Sequence, residues 1–280
     1  MLNGMSVDIE DWFQVGAFET VIDRRDWNSL EHRVEANTDA VLSLFGEADV
    51  KATFFTLGWV AQRYPALMRR IVEAGHELAS HGWDHRRVFT MDSDMFGKDL
   101  ERARKALEDA SGIAVTGYRA PSFSIDKRTP WAHAILAEAG YRYSSSVAPV
   151  VHDHYGWPEA PRFAHRPLPD SDLIELPVTT ARVAGRNMAT GGGFFRLLPG
   201  ALTHWAFDAV NGREGRPAIF YFHPWEIDPD QPRVARAPLK SKLRHYSRLP
   251  VMADKLRTLM KRRQWGRVDE VVAAEAKRLA

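Results

Sequence analysis

At 280 residues, 45% hydrophobic and 26% charged, the chain can build one large globular domain or two small ones. A net charge of +2 argues against a nucleic-acid partner. The lack of cysteine excludes disulfides and thiolate metal sites, so any metal must be held by His, Asp or Glu. Met1–Asp8 has neither the basic nor the apolar segment of a signal peptide, and no apolar run approaches the ~20 residues of a membrane span. The expectation is a soluble, cytoplasmic protein.

Met5 to Ile9 reads as a short buried strand ending in the acids Asp8, Glu10 and Asp11, followed by Trp12 and Phe13. On an extended backbone Asp8 and Glu10 share one face, while Ile9 and Asp11 take the other. A solvated turn with an N-cap is the plainer reading of this cluster. Val34 to Phe45 has helical periodicity, with Gly46 as its expected stop. Lys51 to Leu57 reads as a buried strand, and Pro65 opens a helix that ends near Gly75. A strand from Gly75 to Ala79 then feeds the loop Ser80-His81-Gly82-Trp83-Asp84-His85. Two imidazoles four positions apart can meet one divalent metal, although two unrelated loop histidines would look the same.

Met91 to Ala110 is a charged helix, Val115 to Arg119 a strand running into Ala120-Pro121, Pro130 to Ala139 a helix, and Tyr141 to Val147 a strand. Ala148 to Pro169 is a long loop rich in Pro, His and aromatics. Its His152-x-His154 is a competing metal pair with weaker carboxylate support. Leu173 to Val178 is a further strand, carrying Glu175. Gly191-Gly192-Gly193 lies beside aromatics and lacks the Lys-Ser/Thr of a phosphate loop. A helix from Gly200 to Val210 precedes a last strong strand, Ala218 to Phe222, which ends in His223-Pro224-Trp225-Glu226. Lys240 to Ala280 is basic and mostly helical: a face packed back on the domain, or a membrane-surface or partner-binding feature.

Strands alternate with helices, and each hands a polar cluster to the loop after it. That predicts an α/β fold with a mainly parallel sheet or barrel and a site at the carboxyl ends of the strands. The acids, the histidine pair, Arg119 and His223 all fall in such positions.

In this order the clusters resemble the polysaccharide deacetylases with a NodB homology domain. The matching stretches are Val7-Asp8-Ile9-Glu10-Asp11, His81-x3-His85, Arg119-Ala120-Pro121, the strand near Tyr143-Ser144-Ser145-Ser146, and Phe222-His223-Pro224-Trp225. Asp8 to Phe13, Gly191 to Pro199 and His223 to Pro229 are also similar to the branch associated with bacterial exopolysaccharide and exosortase gene clusters. The resemblance implies a distorted (β/α) barrel of about seven strands in residues 1–235, with residues 236–280 a basic helical extension packed on the same domain. It implies hydrolysis of N-acetyl groups on an amino-sugar polysaccharide or its precursor, with Zn²⁺ or another divalent metal as cofactor. Glu10, His81 and His85 would hold the metal, with Asp11 the alternative to Glu10 because Ile9 separates acids that are adjacent in the common family pattern. Asp8 would be the base, His223 the acid that protonates the leaving amine, and Arg119 the partner that orients Asp8. Trp12, Trp83, Pro121 and Trp225 are the expected substrate-binding residues, while Phe13 and Phe123 are expected in the core. Ser144 stands where the family usually has an Asp that tunes the acid histidine. Docking to membrane-associated polysaccharide synthesis machinery is a further expectation for the basic extension. The rivals are a hydrolase of small linear amides and an inactive glycan-binding relative.

Overall fold

The computed structural model describes residues 1–153 and 155–279. His154, half of the competing histidine pair, lies outside them. The strands are β1 (Leu2–Ile9), β2 (Thr53–Thr56), β3 (Glu77–Ser80), β4 (Gly117–Tyr118), β5 (Tyr143–Ser144), β6 (Ile174–Glu175), the hairpin β7 (Thr180–Val183) and β8 (Arg186–Ala189), then β9 (Ile219–Phe222) and β10 (Gln264–Gly266). The helices are α1 (Val34–Ala48), α2 (Gly58–Arg63), α3 (Pro65–Glu73), α4 (Ser93–Ser111), α5 (Ala132–Glu138), α6 (Gly192–Leu197), α7 (Gly200–Asp208), α8 (Leu239–Tyr246), α9 (Met252–Lys261) and α10 (Val268–Leu279). Seven parallel strands run β9-β1-β2-β3-β4-β5-β6 around an incomplete barrel.

The outer face of the barrel wall is apolar because helices cover it. Met5, Val7 and Ile9 of β1, with Phe54 and Leu78 of the neighbouring strands, join the layer under the helices. Phe55, Ala79, Tyr143, Ile174 and Ile219 point inward. By the same alternation Ser6, Asp8 and Glu10 face the barrel interior. The interior is thus apolar toward the amino ends of the strands and polar toward their carboxyl ends.

The amino end is closed by α10, whose Val268, Val271 and Val272 pack on Phe55 and Ile219. Burial of each valine contributes about 1.5–3 kcal/mol. The C-terminal segment is therefore not purely helical: β10 pairs with Leu2–Gly4 on the edge of β1 that β2 occupies further along. A three-residue strand is too short to show a period in sequence. Gly46 does not stop α1 either. Leu44 and Phe45 are buried, the helix continues to Ala48, and Asp49 takes the left-handed cap position at φ 49°. The ~1 kcal/mol propensity cost of an exposed glycine is too small to end a helix whose neighbours are packed.

One histidine supports the wall by staying neutral. His76, buried against Phe45 and Phe54, accepts the Ala52 N–H on Nδ1 at 3.1 Å. Burial, aided by Lys51 and Arg267, lowers its pKa to about 4. The unfolded chain takes up a proton near pH 6.5, whereas the folded chain does so only near 4. The stability from neutral His76 is therefore complete above pH 6.5 and lost as pH falls toward 4. Relative to His76→Asn, whose carbonyl can accept the same N–H, the wild type should lose on the order of 3 kcal/mol between pH 7.5 and 4. Urea unfolding at the two pH values measures this difference.

Candidate active site

Arg119, fully buried just beyond β4, organises the carboxyl end of the barrel. Its Nη1 donates to Asp8 Oδ1 at 2.7 Å and to Ser6 Oγ at 2.8 Å, while Nε and Nη2 donate to the carbonyl and hydroxyl of Ser145 at 3.1 and 2.9 Å. The guanidinium also lies 4.1 Å over the Phe55 ring. Ser144 and Ser146 brace this region: their hydroxyls are 2.7 Å apart, and Ser146 Oγ accepts the Ala120 N–H. Glu175 on β6 accepts the N–H groups of Ser146 and Val147, both at 2.9 Å, and the imidazole of His133 at 3.0 Å.

Glu10, His81 and His85 place one ligand atom each within 4.8 Å of one another, and all three are buried. His81 Nδ1 donates to the Arg119 carbonyl at 2.8 Å, which leaves Nε2 with a lone pair toward the cluster. Burial holds His81 neutral, lowering its pKa to about 4. His85 Nε2 lies 2.9 Å from Glu10 Oε2, yet that oxygen has no hydrogen bond of acceptable geometry. A buried carboxylate oxygen left unsatisfied beside two imidazole nitrogens fits a divalent cation, with a donor set suited to zinc. Burial alone would raise the Glu10 pKa, but His85 and His223 bring it down to about 2. The loop is shaped for this convergence: Gly82 has φ 75°, and His85 itself adopts φ 58°, a left-handed backbone that costs a non-glycine residue about 1–2 kcal/mol.

Asp11 points away. It caps α1 by accepting the N–H groups of Arg33 and Val34 at 2.9 and 3.1 Å, and it also accepts that of Trp12. Of the two acids, Glu10 is the one at the cluster, as the strand alternation requires.

His223 follows β9 with Nε2 4.0 Å from Asp8 Oδ2 and 3.6 Å from Glu10 Oε1. Its Nδ1 donates to Glu226 Oε1 at 2.9 Å, and Glu226 Oε2 accepts Arg196 Nε at 3.0 Å. Burial disfavours the imidazolium, but Glu10, Glu226 and Asp8 outweigh it and raise the pKa to about 9. Ser144 takes no part in this. The carboxylate that orients His223 is Glu226, whose role sequence reasoning missed. Its signal was the spacing: a residue at the start of a helical turn with Glu three positions later is a capping box, and the Glu226 side chain also accepts the His223 N–H.

These groups stand at a cavity of about 340 Å³. Its apolar wall is Phe123, Tyr155, Tyr221 and Phe194, with His152 stacked 4.1 Å from Tyr155. Gly191 and Gly192 lie flat on Tyr221, where a Cβ would come within 2.5 and 2.9 Å of its ring, and Gly192 has φ 52°. The glycine run thus serves a close approach. Ser122 and Phe123 carry φ values of 54° and 48°, a turn that lets Phe123 line the cavity instead of joining the main core.

The expected aromatic platform is largely elsewhere. Trp12 is buried beside Phe13, with its indole N–H on the Glu31 carbonyl. Trp83 packs on Gly58 under the Arg102 guanidinium, away from the cavity. Pro121 is buried, and Ser122 and Phe123 line the cavity instead. Trp225 does line the cavity, but its faces stack on His245 and His223 and its N–H donates to Glu10 Oε1 at 3.1 Å. It positions the carboxylate while its ring is engaged in these stacking contacts. Neighbours in sequence alternate sides as the chain leaves a strand, so adjacency to the site residues did not carry these rings into the cavity.

A parallel barrel with carboxylates, imidazoles and an arginine gathered at its strand ends defines a class of single-site barrel proteins. Within that class, residues 26–144 match the polysaccharide deacetylase family. Residues 145–273 match a domain of unknown function (DUF3473). The peptidoglycan deacetylase of Helicobacter pylori is 29% identical over 113 residues, 40% of this chain and 38% of that protein. The peptidoglycan-N-acetylglucosamine deacetylase PgdA of Listeria monocytogenes is 33% identical over 91 residues, 32% of this chain and 20% of that protein. These curated relatives are therefore matched over well under half of their own length. A Mycobacterium smegmatis structure described as a candidate polysaccharide deacetylase has the same fold, with a TM-score of 0.63 at 21% identity over 99% of this chain and 91% of the other. The deacetylase match begins after Asp8 and Glu10 and stops before His223, so the placement of those three comes from geometry.

Removing one partner of the buried Asp8–Arg119 pair leaves a charge without compensation. Arg119→Met should cost about 3–5 kcal/mol of unfolding free energy, and adding Asp8→Asn should restore most of it. Urea denaturation of the single and double variants reads both effects.

Proposed function

We propose that the protein is a metal-dependent hydrolase that removes N-acetyl groups from an amino-sugar-containing polysaccharide or its precursor and releases acetate. The observation that carries this reading is the convergence of Glu10, His81 and His85, with Asp8 and His223 beside them, at an aromatic-walled cavity. Glu10, His81 and His85 would hold the cation, for which we propose Zn²⁺. Bound there, it would supply Lewis acidity and bring the pKa of a water from about 15.7 toward about 7.

The remaining steps belong to the chain's own side chains. Asp8 is held on Arg119 through Oδ1, leaving Oδ2 on the His223 side to take a proton from the attacking water. His223 keeps its Nδ1 proton on Glu226 and presents Nε2 to the leaving nitrogen, which it protonates as the C–N bond breaks. Phe123, Tyr155 and Tyr221 offer apolar rings against which a sugar can pack. The relatives' names support an N-acetylated glycan. The stretches Asp8 to Phe13, Gly191 to Pro199 and His223 to Pro229 support a place in exopolysaccharide synthesis, and the lack of cysteine supports a cytoplasmic setting.

Wild-type protein should bind one zinc per chain and release acetate from N-acetylglucosamine oligomers. His81→Ala should lose the metal and the activity together. Asp8→Asn should keep the metal and lose about 10²–10⁴-fold in rate. Elemental analysis beside an acetate assay checks both variants. Equal zinc in wild type and His81→Ala would remove the centre from the mechanism. Cleavage of small linear amides by a zinc-loaded enzyme that leaves every acetylated sugar intact would replace the substrate.

A further inference from the structure

Residues 231–253 carry the basic side chains Arg233, Arg236, Lys240, Lys242, Arg244 and Arg248 and no acidic one, in a chain whose net charge is only +2. The segment contains α8, which lies across the mouth of the cavity. Ser241 and Arg244 line that cavity, and His245 is buried against Trp225 at 4.1 Å. Arg196 fixes the helix from below by donating to the carbonyls of Arg244, His245 and Ser247.

With 100° per residue, the turn that points Ser241 and His245 inward points Leu239 and Leu243 outward. Leu239 is 72% exposed and Leu243 59%. Beside the helix, Val151 is 86% exposed, and the neighbouring Asp153 is tied to Lys240 and Arg244. At the cavity rim, Leu197 of α6 is also exposed. An i, i+4 leucine pair facing solvent between lysines is the reverse of a helix packed into a core.

We propose that α8 and its flanks rest on the surface of an anionic lipid bilayer, so that the cavity mouth opens at the membrane plane. The leucines and Val151 enter the headgroup boundary while the flanking basic side chains, Arg236 and Lys242 among them, meet acidic headgroups. The apolar side chains favour a bilayer over a soluble polyanion, which would need only the charge. No described helix is long and apolar enough to cross a membrane, so the contact is peripheral. Such a seat presents the cavity to a glycan that is itself carried on a lipid.

The test is flotation of the full chain with vesicles of phosphatidylcholine, with and without 30% phosphatidylglycerol, at low and high salt. Binding should require the anionic lipid and fall at least tenfold at 0.5 M salt. It should fall at least tenfold in Leu239→Ser/Leu243→Ser and in Arg236→Glu/Lys242→Glu, each verified as folded by an unchanged unfolding midpoint. Absence of wild-type binding to anionic vesicles overturns the proposal. So does a leucine double variant that floats like wild type while both bind heparin equally, an outcome that assigns the surface to a soluble acidic polymer. Neither outcome touches the hydrolytic chemistry, because the readout contains no substrate.

Discussion

A guanidinium with no access to water must find its acceptors within the protein, and every nitrogen of Arg119 does so by drawing on three strands. Ser6 and Asp8 come from β1, Arg119 from the exit of β4, and Ser145 from the exit of β5. Desolvating that charge is costly, and only a complete set of acceptors offsets it. The polar half of the barrel interior follows from this demand. Ser146 holds the backbone after Arg119, Glu175 holds the backbone after β5, and the Arg119 carbonyl fixes the His81 tautomer. The ion pair and the histidine centre are thus one network, and its geometry is set before any ligand arrives.

A second buried arginine does similar work on the opposite side. Arg196 joins Glu226, and through it His223, to the carbonyl end of α8. The orientation of the proposed acid histidine and the position of the helix over the cavity mouth therefore share a single side chain. Trp225, held between His223 and His245, couples the same two elements by stacking and reaches Glu10 by its N–H.

Features that depend on local spacing were legible in the sequence. Period-two alternation put Asp8 and Glu10 on one face and Asp11 on the other, and the strand–helix rhythm gave the parallel barrel and the location of the polar clusters. Features that depend on tertiary approach were not. The walls of the cavity come from Phe123, Tyr155, Phe194 and Tyr221, residues scattered over nearly a hundred positions and joined only by folding. Trp12 and Trp83 were misplaced because a chain leaving a strand turns successive side chains to opposite sides. Glu226 stood three residues from His223, in plain view, but helical capping in so short a turn is hard to anticipate beside a proline. β10 escaped because its pairing is dictated by the unoccupied edge of β1 and not by its own three residues.

The pairing of β1 also has a temporal side. Ser6 donates to the Phe220 carbonyl, 214 positions away, and the lower part of β1 waits for residues near Trp265. During synthesis β1, with Asp8 and Glu10 on it, is made about two hundred residues before β9, which pairs with one edge, and before β10, which pairs with the lower part of the other. At a typical 5–20 residues per second the nascent chain spends more than about ten seconds with these pairings unmade. Contacts of such long sequence separation make folding slow and concentrate the commitment at its end. No partial chain can then hold a finished centre, and the first strand is the segment a chaperone would have most reason to shelter.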